Sequence, residues 1–155
     1  MSNTAQVEVF GWIVLALALG SLVGAQREFR GHEAGVRTLG LVSAASATFG
    51  LISFRVTGDD RIAAGVVQGI GFLGAGLVFR SRHSVLGATT AATIWVVAAL
   101  GLLVSAELWL TAVLLTVATV ALLELLPVSD WLYRKGLARE ADRRRRLVPP
   151  SQRDV

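Results

Sequence analysis

The stretch Arg61-Ile62-Ala63-Ala64-Gly65-Val66-Val67-Gln68-Gly69-Ile70-Gly71-Phe72-Leu73-Gly74-Ala75-Gly76-Leu77-Val78-Phe79-Arg80 decides the fold. Between its two arginines no residue is charged. At 1.5 Å rise per residue a helix over Ile62–Phe79 reaches about 27 Å, enough to cross a hydrocarbon core. Gly65, Gly69 and Gly76 fall on one face of that helix together with Phe72, and Gly71 and Gly74 lie beside them. The run Gly69–Gly74 also fits G-x-G-x-x-G, the dinucleotide fingerprint. That motif needs a preceding strand, an open turn and an acidic residue about 20 positions on. Here it sits inside an apolar helix and is followed by Arg80 and Arg82, so a nucleotide site is rejected.

Working outward, four more apolar stretches have spanning length: Val9–Ala25, Thr38–Phe54, Ala88–Ser105 and Leu108–Leu126. The chain of 155 residues is 54% hydrophobic and 17% charged, with mean hydropathy +0.62. Soluble domains are about 45–50% apolar, and a soluble protein this small cannot hide the excess. Apart from Glu8 and Glu124, the charges lie between the apolar stretches and in the tail. Only Ala106 and Glu107 separate the last two spans; one unbroken helix would place Glu107 in mid-membrane at heavy cost. There is no cysteine, hence no disulfide framework, thiolate nucleophile or Cys-ligated zinc.

Lys and Arg are distributed with a clear asymmetry. None precedes the first span, three lie in Gln26–Arg37, two in Arg55–Arg61, two in Arg80–Gly87, none beside Glu107, and eight in the tail. Alternate segments therefore hold thirteen on one side and two on the other. The positive-inside rule then predicts an outer N-terminus and a cytoplasmic C-terminus. Basic residues after the first span, with none before it, mark a signal anchor in place of a cleaved leader. The expectation is an all-α integral membrane protein: a bundle of five transmembrane helices over residues 1–127, followed by a basic cytoplasmic tail, 128–155.

Helices in lipid gain little from hydrophobicity and pack through small residues. Ala16, Gly20 and Gly24 form such a face on the first span, and Gly40 to Gly50 is almost entirely small. Gly20, Gly24, Gly65, Gly69, Gly71, Gly74 and Gly76 are therefore the expected packing glycines of a tight core made by spans one to three. The alternative is that glycine is simply common in membrane helices.

Few polar residues lie within the spans, and each is a candidate by default. Gln68 either hydrogen-bonds across helices or lines a substrate path. Thr89 and Thr90 open the fourth helix, where hydroxyls cap free N–H groups or meet a ligand. Gln26–Arg37 mixes Arg27, Glu28, Arg30, His32, Glu33 and Arg37, a pattern that suits intraprotein salt bridges. His32-Glu33 opens like H-E-x-x-H, but Val36 stands where the second histidine belongs. Asp59 and Asp60 could hold a hydrated Mg²⁺, which needs only one or two protein oxygens, although Arg61 competes. With an outer N-terminus, Arg27, Glu28, Arg37, Thr38, Arg80, Thr89 and Thr90 share the cytoplasmic interface. Their net positive charge suits an anion or an acidic partner better than a cation. In the tail, Trp131 and Tyr133 beside Arg134 and Lys135 form an interfacial belt, and Arg143, Arg144, Arg145 and Arg146 are placed to contact anionic lipid. No metal cluster, triad or cofactor motif survives inspection, so neither an enzyme, a bound cofactor nor a nucleic-acid partner is expected.

Three segments carry a family resemblance: Arg61 to Arg80, Ala34-Gly35-Val36-Arg37-Thr38, and Thr89-Thr90-Ala91-Ala92-Thr93-Ile94-Trp95. With them, the region from about Leu15 to Thr116 resembles the MgtC/SapB family of bacterial inner-membrane proteins. The second and third segments look like the family's AGLRT and TTAATLW motifs. The resemblance implies five spans with an outer N-terminus, a link to magnesium-limited growth and, in pathogens, survival inside phagocytes. It also implies contact with other membrane proteins, the ATP synthase among the candidates, or self-association. The chain is expected to be a short form lacking the family's ACT-like soluble domain. It departs from the family pattern at Gln26, where an acid is usual, and at Leu86, where an arginine is usual. Two function classes stay open: a regulatory or interaction protein of the membrane, and a transporter or channel component for Mg²⁺ or another solute. The first is favoured, because the span interiors hold no Asp or Glu apart from peripheral Glu124.

Overall fold

A computed structural model of the chain describes residues 2–79, 87–125 and 135, the side chain of Phe79 excepted. It contains five α-helices: α1 (Asn3–Phe29), α2 (Val36–Leu51), α3 (Arg61–Phe79), α4 (Ala88–Ser105) and α5 (Trp109–Glu124), and no strand among the described residues. A π-helical turn, Ile52–Thr57, extends α2. Four helices are long and apolar enough to cross a membrane: α1, α2 with its extension, α3 and α4. α5 is apolar but shorter, at 16 residues. Residues 1–120 form one compact unit and 121–155 a second, of which the described part is the last turn of α5, Leu125 and Lys135. The expected interfacial belt, Lys135 excepted, and the arginines at 143–146 lie outside the described residues, as does Arg80.

The helix limits follow from local chemistry. Ser2 caps α1, its Oγ accepting the Ala5 N–H at 3.3 Å. α1 runs past the apolar stretch read from sequence, because main-chain hydrogen bonding continues through the polar residues Gln26, Arg27 and Glu28 to Phe29. It ends on Gly31, whose φ of 76° is left-handed. The Gly31 N–H donates to the Glu28 carbonyl at 3.0 Å and the His32 N–H to that of Arg27 at 3.0 Å, the paired bonds of a Schellman stop.

The N-terminus of α2 is capped from outside. Gly35 at the cap position has no side chain to offer, and the Glu28 carboxylate of α1 accepts the Val36 N–H at 2.9 Å. A negative charge at a helix start also opposes the helix dipole favourably. A Cβ on Gly35 would meet Glu28 Oε2, so the carboxylate would have to shift from the position in which it caps α2.

The core is built by α1, α2 and α4. Ala16, Leu19 and Val23 of α1 are buried with Leu39 and Ala47 of α2 and with Ile94, Val97, Leu100 and Val104 of α4. α4 touches α1, α2 and α3, whereas α3 touches α4 and, less extensively, α2. The expected core of spans one to three is thus corrected: α4 occupies the central place assigned to α3. The reason is that α4 is apolar all round and can bury several faces, while the small residues of α3 are divided between opposite faces. At Gly101 the main chains of α4 and α2 approach closely, since a Cβ would meet the Ser43 carbonyl oxygen and, at 2.8 Å, the Ala47 nitrogen.

Candidate functional site

The packing glycines separate into three groups. A Cβ on Gly20 would lie 2.6 Å from the Leu39 carbonyl oxygen, and one on Gly24 would lie 2.6 Å from Val36 Cα. Both therefore seat α1 on α2. Gly71 and Gly74 face α4, with Trp95 Cζ2 at 3.8 Å from the first position and Ala91 Cβ at 3.6 Å from the second. Gly65, Gly69 and Gly76 meet nothing within 4 Å, so they pack against no neighbour within the described chain. They lie on an exposed strip of α3 that also holds Ala64, Gln68, Phe72 and Ala75. Beside the strip an apolar groove of about 480 Å³ runs between α2 and α3, lined by Val42, Ala45, Phe49, Gly65, Gly69 and Leu73.

The structure divides the residues expected to share one interface. Arg27 leaves the last turn of α1 toward α4; its side chain is 1% exposed and its Nη2 donates to Thr90 Oγ1. The neighbouring Glu28 points the other way and is committed to the start of α2. Arg37 and Thr38 are exposed in the first turn of α2, and Thr89 is exposed in the first turn of α4. Gln68 stands apart on α3, exposed and with no side-chain hydrogen bond to a described residue. Among the described residues no ion pair joins Arg27, Glu28, Glu33 or Arg37 to one another, while Arg30, the remaining arginine of this loop, does have a partner.

Nor do Thr89 and Thr90 cap α4. The cap position is Gly87, with φ 102° and no side-chain bond. Both threonines already lie in the helix, and Thr93 Oγ1 donates back to the Thr89 carbonyl at 2.7 Å. The helix begins earlier than a hydroxyl cap would require because glycine adopts the left-handed turn without strain.

At the opposite end of the helices lie two separate charge contacts, Glu8–Arg55–Glu107 and Asp59–Arg61. Arg55 Nη2 lies 2.6 Å from Glu107 Oε1 and 3.6 Å from Glu8 Oε1. Asp59 Oδ1 accepts the Arg61 N–H at 2.9 Å, and its Oδ2 is 3.5 Å from Arg61 Nε. Asp59 is thus turned toward Arg61, Asp60 is exposed, and the described residues contain no group of three His, Cys, Asp or Glu side chains suited to a metal. The Glu8–Arg55–Glu107 contact was not foreseen. Its signal is present in the sequence, since all three charges belong to segments expected on the same outer side.

With this geometry in place, the chain can be set beside known proteins. The profile of the MgtC family matches residues 13–130. Protein MgtC of Brucella abortus (strain 2308) is 46% identical over 130 residues, covering 81% of this chain and 55% of its own. Protein MgtC of Salmonella typhimurium (strain LT2) is 46% identical over 93 residues, 59% of this chain and 40% of its own. The chain spans about half the length of the curated relatives it matches. No solved structure matches it. A multi-pass membrane architecture, a family profile over most of the chain and relatives of this similarity lead to one conclusion: the chain belongs to the MgtC family.

Proposed function

We propose that this protein is a regulatory and interaction protein of the bacterial inner membrane, acting in adaptation to scarce magnesium by contact with another membrane protein. The observation that carries the reading is the exposed strip of α3. Gly65 and Gly69, four residues apart with open space above them, are the spacing at which two membrane helices approach closely. Gln68 lies between them in sequence, near the middle of the helix, exposed and without a hydrogen bond to a described residue. Leaving an amide unpaired in an apolar medium costs about 1–3 kcal/mol on mutational scales. A partner helix with a hydroxyl, amide or main-chain carbonyl at that depth relieves the cost.

The test pairs contact with transport. Gly69→Leu and Gln68→Leu should each abolish support of low-magnesium growth and remove in-membrane cross-links from α3 to its partner, while membrane abundance stays near wild type. Purified protein in liposomes should show no Mg²⁺ flux above empty vesicles. A flux that disappears in Gln68→Leu would replace this reading with that of a transporter or channel component.

A further inference from the structure

We propose that the first turn of α4, backed by the buried Arg27 guanidinium, is a binding site for a phosphate-class oxyanion. The starting point is a mismatch of sign. α4 has 18 residues, and a helix N-terminus carries roughly half a positive charge on unsatisfied N–H groups. Proteins ordinarily place an acid or a capping oxygen there. Here Gly87 supplies neither, and the N–H groups of Ala88, Thr89 and Thr90 find no acceptor among the described residues. The side chain delivered to this end is instead a cation. Arg27 is 1% exposed, its Nη2 bonds Thr90 Oγ1, and its Nε has no hydrogen-bond partner.

No carboxylate of a described residue lies within ion-pair distance of that guanidinium. Glu28, its neighbour in sequence, is turned toward α2. A buried charge without a counter-charge is strongly unfavourable, and placing it against the positive end of a helix adds to the cost. An anion removes both penalties at once.

The donor set also defines the class of anion. Thr90 Oγ1 accepts from Arg27, which leaves its own proton to donate onward. That hydroxyl, the Thr89 hydroxyl, three main-chain N–H groups and the guanidinium are all donors, a set suited to an anion with several terminal oxygens. Ala88 and Thr89 are exposed, so the anion approaches from the surface of the first turn, and Arg27 supplies charge from beneath. A lipid headgroup phosphate and free inorganic phosphate share this chemistry. The site is separate from the α3 strip and does not depend on its role.

The experiment uses the full chain in a neutral maltoside detergent. One arm titrates inorganic phosphate and follows ³¹P line width and the melting temperature. The other adds phosphatidylglycerol and counts retained lipid by native mass spectrometry. Saturable binding in either arm supports the site, and the arm that responds names the source. Thr90→Val and Arg27→Gln should each weaken binding about tenfold or more, the loss expected for a charge-assisted hydrogen bond. Arg27→Lys should retain more affinity than Arg27→Gln, and Arg61→Gln, at the other end of the helices, should bind as wild type. If Arg27→Gln fails to fold, Thr90→Val decides, because it keeps the shape of the side chain. Absence of saturable binding in both arms overturns the proposal, as does an equal loss in Arg61→Gln and Thr90→Val.

Discussion

Adding one methyl group at Gly24 should destabilise the protein, whereas the same change at Gly69 should not. A Cβ at position 24 would stand 2.6 Å from Val36 Cα, 2.7 Å from the Gly35 carbonyl oxygen and 2.8 Å from its carbon. All three are main-chain atoms, so no side chain can swing aside. Ordinary contact needs about 3.5–4.0 Å, and α1 must therefore move from the start of α2 by roughly 1 Å. Overpacking of this kind costs about 1–3 kcal/mol. The same displacement stretches the 2.9 Å bond from Val36 N–H to Glu28, and a bond to a charged group is worth about 1.5–3 kcal/mol. The two losses share one movement and do not add fully, so a total near 3 kcal/mol is expected. That corresponds to a fall in melting temperature of about 6–12 °C for a chain of this size. At Gly69 nothing stands within 4 Å, and alanine is the better helix former. Gly69→Ala should melt within about 2 °C of wild type. Thermal unfolding in detergent, followed by far-ultraviolet circular dichroism, compares the two. Equal shifts would refute the reasoning, because the close approach of α1 to α2 would then contribute nothing particular.

Two further outcomes are expected. A reporter active only outside the cytoplasm should work when fused near Met1 or within Arg55–Arg61 and fail after Leu126; the reverse pattern would overturn the orientation inferred from the Lys and Arg asymmetry. Glu28→Ala should destabilise by about 1–2 kcal/mol and speed hydrogen exchange at the Val36 amide, while unchanged exchange there would show that water caps α2 equally well.

The helices themselves were legible because hydropathy reports the solvent around a segment. α4 begins and ends at the residues read from sequence, since Gly87 and Ser105 bound a continuous apolar run. α1 was read short, because a transfer scale stops at the first polar residues and hydrogen bonding does not. The family was legible from three short motifs, two of which lie at the α1–α2 turn and the start of α4.

Which helices are neighbours was harder to read. In a bilayer an apolar side chain facing lipid and one facing a helix look alike, and α3 offers small residues on both of its sides. The roles of Arg27 and Glu28 were hidden for a related reason. Adjacent residues on a helix point about 100° apart, so a cluster in sequence becomes two separate contacts. The Glu28–Val36 cap in particular depends on the Gly31 stop folding the chain back, which no pattern of residue types reveals alone.

That cap also bears on the order in which the protein is assembled. It joins residues eight positions apart and closes a hairpin that is complete once Thr57 has been made. At about 5–20 residues per second, the ribosome takes roughly 2–10 s more to reach Ser105 at the end of α4. For that interval α1 and α2 are together in the membrane without the helix that completes the core. Contacts at Gly20, Gly24 and Gly35 need nothing that comes later in the chain. The hairpin can therefore form first and serve as the template that α4 docks onto, so a defect at Gly24 would act on the nascent chain before α4 exists to be misplaced.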